Sequence, residues 1–152
     1  DYGRGLVLID SPFVQGAVGF LRRTERIELR DVRLEVDVEY GAAVVVALDR
    51  RPIRESGRLL LQVMSEEKNF GWRTGSAERG LLRIDDTGGA PIMVREISGE
   101  VSLIREDAGS CKVFALDHRG YPLRPIGTAD GIHLLPDVIY YYIEAEPGGG
   151  TG

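Results

Sequence analysis

Short apolar runs separated by turn chemistry dominate the chain, and their period is two. The clearest is Val32-Arg33-Leu34-Glu35-Val36-Asp37-Val38-Glu39-Tyr40, in which Val32, Leu34, Val36, Val38 and Tyr40 share one face and the charged residues the other. Strand side chains alternate between faces, so this pattern predicts a half-buried antiparallel strand. Ile27 and Leu29 lie on the opposite parity, and the phase slip at Arg30-Asp31 predicts a bulge or tight turn there. Further strands are expected at Leu6–Ile9, Ala17–Leu21, Val44–Leu48, Leu59–Met64, Leu81–Ile84, Ile92–Ile97, Glu100–Ile104, Lys112–Leu116, Ile132–Leu134 and Val138–Ala145. Val44-Val45-Val46 and Leu59-Leu60-Leu61 are apolar on both parities, as suits central strands covered on both faces or close to the core.

The breakers agree with this reading. Asp85-Asp86-Thr87-Gly88-Gly89, Asp117-His118-Arg119-Gly120 and Asp130-Gly131 have the composition of hairpin turns, with Asp opening the turn and Gly taking a positive φ. Asp10-Ser11-Pro12 stops a strand and turns the chain, with Gln15 placed to satisfy turn amides and Gly16 and Gly19 allowing close backbone approach. Ala47-Leu48-Asp49 and Ala115-Leu116-Asp117 echo one another as a strand followed by an Asp-led turn. Helical periodicity is confined to Leu59 through Phe70, so at most one short helix or 3₁₀ turn is expected. The predicted fold is all-β: an antiparallel two-sheet sandwich, jelly-roll or immunoglobulin-like, of about 9–11 short strands.

Composition adjusts this picture only slightly. At 152 residues, with 43% hydrophobic and 28% charged residues, the chain suits one globular domain. We expect that domain over 1–146, with a flexible Gly-rich tail over 147–152 and the character of a fragment excised from a larger protein. The net charge of −5 and the lack of a Lys/Arg stripe disfavour nucleic acid as a partner. No apolar run is long enough to span a membrane as a helix. A lone Cys111 permits no internal disulfide and reads as a buried, inert thiol.

Candidate chemistry is sparse. Asp86-Thr87-Gly88 matches the loop of aspartic proteases, which activate water between two carboxylates. Here Arg83 interrupts the apolar lead and Gly89 follows, so a polar turn is the expected role. Glu35, Asp37 and Glu39 repeat at about 6.5–7 Å along one strand face. That spacing would suit a glycosidase carboxyl pair, but it is equally the pattern of a solvated face. His118 and His133 have no carboxylate at metal-ligand spacing, and no metal or cofactor is expected. Aromatic residues are more informative, because sugars stack on ring faces while their hydroxyls pair with polar side chains. Asn69-Phe70-Gly71-Trp72-Arg73 gathers such groups around the only Trp, and Tyr140 and Tyr142 offer a second platform. Trp72, Phe70, Asn69, Arg73, Tyr140 and Tyr142 are therefore the glycan-binding candidates; the competing role is structural, with Trp72 closing one end of a core.

Ile9-Asp10-Ser11-Pro12-Phe13-Val14-Gln15-Gly16-Ala17-Val18-Gly19 resembles the V-D-T-P-x-x-Q-x-x-x-G opening of β-sandwich domains on the C-terminal side of bacterial glycoside hydrolases. Leu48-Asp49-Arg50-Arg51-Pro52-Ile53 through Arg58-Leu59-Leu60-Leu61 is similar to their L-D-x-x-P-I-x-x-S-x-R-L-L-L stretch. Asn69-Phe70-Gly71-Trp72 resembles an E-N-T-G-M-x-W loop, Pro91 through Val101 a P-x-L-V-E-x-V-x-G-x-V strand pair, and Val113 through Asp117 the closing V-x-A-L-D. Ser11 stands where Thr is usual, and Phe70 where a small residue is. The resemblance implies a secreted or cell-surface, non-catalytic ancillary domain of a carbohydrate-active enzyme. Its partners would be the catalytic domain of the same polypeptide, which it buttresses, and a polysaccharide. A structural or adhesive module of a surface protein is the alternative, with a small enzyme built on the Asp or Glu groups third.

Overall fold

The computed structural model describes residues 5–145; the expected tail over 147–152 lies outside them. Fifteen strands and no α-helix are present among the described residues. The chain divides into two compact units, one formed by 5–65 together with 96–145 and the other by Glu66–Arg95.

The larger unit is a β-sandwich. Its wider sheet has seven antiparallel strands: β1 (Leu6–Asp10), β2 (Val14–Gly19), β5 (Gly41–Ala47), β6 (Arg58–Ser65), β15 (Tyr140–Glu144), β12 (Lys112–Leu116) and β13 (Pro122–Thr128), in that spatial order. The second sheet has four: β14 (Ile132–His133), β11 (Gly99–Leu103), β4 (Val32–Val36) and β3 (Ile27–Glu28). The inward parity of both sheets feeds one hydrophobic core. Val45, Leu61, Val63 and Val113 enter it from the wide sheet and Val32, Leu34 and Val101 from the narrow one, each at most 1% exposed. Tyr141 is wholly buried, and its hydroxyl accepts from Leu135 N (2.8 Å) and donates to Val138 O (3.2 Å).

Local chemistry sets the connections. The phase slip at Arg30-Asp31 is a tight turn, closed by Leu29 N donating to Val32 O, that folds β3 back on β4. Ser11 Oγ accepts from Val14 N at 3.0 Å and turns β1 into β2. Gly16 is required by close approach, because a Cβ there would drive into Ala43 O and Val44 Cα of β5. Gln15, buried on the inward face of β2, donates to Asp31 Oδ2 (2.7 Å) and Ser11 O (3.2 Å) and accepts from Asp31 N (2.8 Å). The two Asp-led turns use the same device: Asp49 Oδ1 accepts from Arg51 N, and Asp117 Oδ1 from Arg119 N.

The second unit is a two-stranded ribbon in two sections. Strand β7 (Glu67–Phe70) pairs with β10 (Gly89–Val94), and β8 (Arg73–Ser76) with β9 (Leu82–Asp86). A ribbon has no second layer, and none of residues 66–95 is buried. Phe70, Leu81, Leu82, Ile84, Ile92, Met93 and Val94 stay between 47% and 74% exposed.

The structure departs from three expectations. Asp86-Thr87-Gly88 is not a hairpin turn, since the strands on either side of it pair with different partners. It is the point where the ribbon passes from one section to the next, opposite Gly71-Trp72, and Gly88 (φ +61°) is needed there because a Cβ would strike Phe70 O. The hairpin tip lies instead around Glu78–Gly80, one of three short 3₁₀ turns where at most one was expected; the others are Leu21–Arg23 and Ala108–Ser110. Three-residue 3₁₀ turns have no helical periodicity to betray them. Strands β7, β8 and β13 were also not expected, because Glu67–Phe70, Arg73–Ser76 and Pro122–Thr128 lack a buried face and so lack alternation.

Candidate functional site

The structure places the aromatic candidates on separate units. Asn69, Phe70, Trp72 and Arg73 belong to the ribbon, and Tyr140 and Tyr142 to the sandwich. In the ribbon the chain leaves β7 through Gly71 (φ +80°), and Trp72 N donates to Asn69 O at 3.1 Å. That tight turn sets the indole beside Glu67, Lys68, Asn69 and Ile92, which together line an open groove of about 250 Å³. Asn69 Nδ2 is committed to Thr87 O (3.0 Å), and Arg73 to Asp86 Oδ2 (3.0 Å). Trp72 and Asn69 thus share a groove, Phe70 projects 61% exposed, and Arg73 works as an ion-pair partner. The groove is smaller than the roughly 300–1,000 Å³ of ordinary small-molecule pockets and offers one ring face with a cation and a carboxylate beside it.

Tyr140 and Tyr142 sit on the outward parity of β15, flanking buried Tyr141. Register extends each into a row across the wide sheet. One row runs Val14, Val46, Leu60, Tyr142, Phe114; the next runs Ile9, Gly16, Val44, Gln62, Tyr140, Leu116; a third runs Val7, Val18, Ala42, Met64. Phe114 and Tyr142 place their ring centroids 6.5 Å apart. Gln62 is the one polar side chain within these rows, and charges appear only at the end row of Arg58, Glu144 and Lys112. Most of these side chains are only half buried. Burial and the neighbouring Glu144 raise the Tyr142 hydroxyl above its ordinary pKa, so the ring stays neutral and reads as apolar surface.

The outer face of the narrow sheet is the opposite. Arg33 donates to Glu28 Oε1 (3.0 Å), Arg26 to Glu35 Oε1 (2.8 Å) and Arg22 to Asp37 Oδ1 (2.5 Å). The carboxylate row of β4 and the segment after it is therefore the ion-paired, solvated face that alternation suggested. One sandwich thus carries a water-facing outer surface on one side and an apolar outer surface on the other. Sequence reading found Tyr140 and Tyr142 but not the field around them. The available signal is the both-parity run of Val44-Val45-Val46 and Leu59-Leu60-Leu61, which suits strands covered on both faces as well as strands close to the core.

Other candidate chemistry is engaged or isolated. Asp86 bonds Gly88 N and pairs with Arg73. His133 Nδ1 lies 3.2 Å from Glu100 Oε2 and is largely exposed. Cys111 is buried, its Sγ donating to Asp107 O, and burial raises its pKa. No group of three or more His, Cys, Asp or Glu able to hold a metal occurs among the described residues, and none of their helices is long and apolar enough to cross a membrane. Comparisons of the chain with protein-family profiles, with curated proteins and with solved structures find no match.

Proposed function

We propose that this chain is a non-catalytic ancillary domain of a secreted, bacterial carbohydrate-active enzyme, and that it buttresses the catalytic domain of the same polypeptide through the outer face of its seven-stranded sheet. The observation that carries the reading is the contrast between the two outer faces. Rows of five, six and four positions, on strands about 4.8 Å apart with rows about 7 Å apart, span roughly 500 Å² of largely apolar sheet face. A patch of that size matches the largest found on typical soluble monomers, and such patches are often functional. The opposite face of the same sandwich shows that this sequence supplies charge where a sheet meets water. The resemblance of five ordered segments to hydrolase-attached sandwiches supports a catalytic domain as the partner; an adhesive surface module would use the same face on a different protein.

Tyrosine nitration tests the reading, comparing the 152-residue chain with the longer polypeptide that carries it. Tyr142 and Tyr140 are labelled in the isolated chain and protected in the longer polypeptide, and Leu60→Glu abolishes the protection. Equal labelling in both would defeat the proposal. A second reading, glycan binding, is favoured by the groove at Trp72. It requires retention of the chain on an insoluble polysaccharide that Trp72→Ala removes; no retention on any polysaccharide ends it.

A further inference from the structure

We propose that the ribbon is a self-association element, pairing β9 with β9 of a second copy of this chain in antiparallel register centred on Ile84. The starting point is stability. A lone two-stranded ribbon is marginal in water, and three or more strands sharing an apolar face are needed for it to hold by itself. This ribbon buries none of residues 66–95, and among the described residues both its strands keep an unpaired edge. Leu82 and Ile84, the apolar side chains of β9, are both exposed on the strand that such pairing would extend.

The sequence of β9 selects a second copy as the occupant. In β9, whose register against β8 shifts at Asp85, the central Arg83-Ile84-Asp85 is self-complementary when two copies run antiparallel about Ile84. Ile84 then faces the partner's Ile84 on one side of the sheet. On the other side Arg83 faces the partner's Asp85, and Asp85 faces the partner's Arg83, so both cross-strand pairs join opposite charges. The two groups already share a face, with Arg83 Nε 2.6 Å from Asp85 Oδ1 within one strand, and pairing would convert this local contact into a four-charge array. Leu82 is 74% and Ile84 55% exposed, so the strand is accessible. Residues 66–95 carry five acidic and five basic side chains, and the net charge of −5 belongs to the rest of the chain. Ribbon meets ribbon without net repulsion. Pairing gives a four-stranded sheet, β8-β9-β9-β8, with Leu82 and Ile84 of both copies gathered on one face.

Light scattering and sedimentation test the assignment on the whole chain. At tens of micromolar the particle has twice the 16.7 kDa of one chain. Arg83→Asp and Asp85→Arg, each placing like charges opposite one another twice, weaken association about tenfold or more, and the double reversal restores it. With Ile84→Cys a short bismaleimide joins the two copies, whereas Leu82→Cys leaves them unlinked because that position faces Asp86 across the two-fold; the native Cys111 is buried and silent. A monomeric wild type, single charge reversals without effect, or cross-linking equal at both positions overturns the proposal. None of these readouts depends on the outer face of the sandwich, so the buttressing role stands or falls separately.

Discussion

Gln15→Leu is expected to be among the most damaging substitutions of similar size in the sandwich. Gln15 is fully buried, and its amide serves three partners: the Asp31 carboxylate at 2.7 Å, Ser11 O at 3.2 Å and Asp31 N at 2.8 Å. Leucine conserves volume, so the loss is chiefly polar. The bond to a charged acceptor contributes about 1.5–3 kcal/mol and each neutral one about 1 kcal/mol, and Asp31 is left with an undonated carboxylate and an orphan N–H. Asp31 is 6% exposed, so water repairs little of this. The sum is a destabilisation of about 3–5 kcal/mol, or a fall in Tm on the order of 10 °C for a chain of this size. Far-UV circular dichroism under urea and heat is the assay, because the strands of the sandwich dominate that signal whereas the single Trp belongs to the ribbon. A double-mutant cycle with Asp31→Leu sharpens it: removing both partners should cost clearly less than the sum of the two single losses. A loss below about 1 kcal/mol, or strict additivity, would refute the claim that this network ties β2 to the β3–β4 turn.

Arg105→Lys should destabilise by about 2–3 kcal/mol in urea unfolding, since the buried guanidinium donates to Ile53 O (3.0 Å), Ser56 O (2.8 Å) and both oxygens of Asp107, a fork that an ammonium cannot reproduce. Asp49 gives an acid-limb prediction. Burial alone would raise its pKa, but hydrogen bonds from Ser56, Gly57 and Arg51 hold it below 3.8. A depressed native pKa contributes stability that is full above the unfolded value and lost as pH falls through the folded one. Asp49→Asn should therefore flatten the stability profile below about pH 4, and an unchanged acid limb would count against it. Cys111, buried with a raised pKa, should react with a thiol reagent only at the rate of global unfolding; fast labelling of the folded chain would contradict that burial.

Alternation alone fixed the all-β class, because a period of two is written in the residues whenever one face of a strand is dry and the other wet. Val32 through Val38 shows this, as does Tyr141 buried between Tyr140 and Tyr142. Turn chemistry was equally local: Ser11, Asp49 and Asp117 bond backbone groups two or three residues away, so their roles follow from sequence neighbours. Tertiary structure decided the rest. Asp86-Thr87-Gly88 has the composition of a hairpin turn, yet pairing of the flanking strands with different partners makes it a kink. The ribbon strands β7 and β8 carry no alternation because neither face is buried. The apolar field around Tyr142 exists only because register brings Val46, Leu60 and Phe114, distant in sequence, into one row. Local pattern determines which way a side chain points from its own strand; only strand order and register determine what stands beside it.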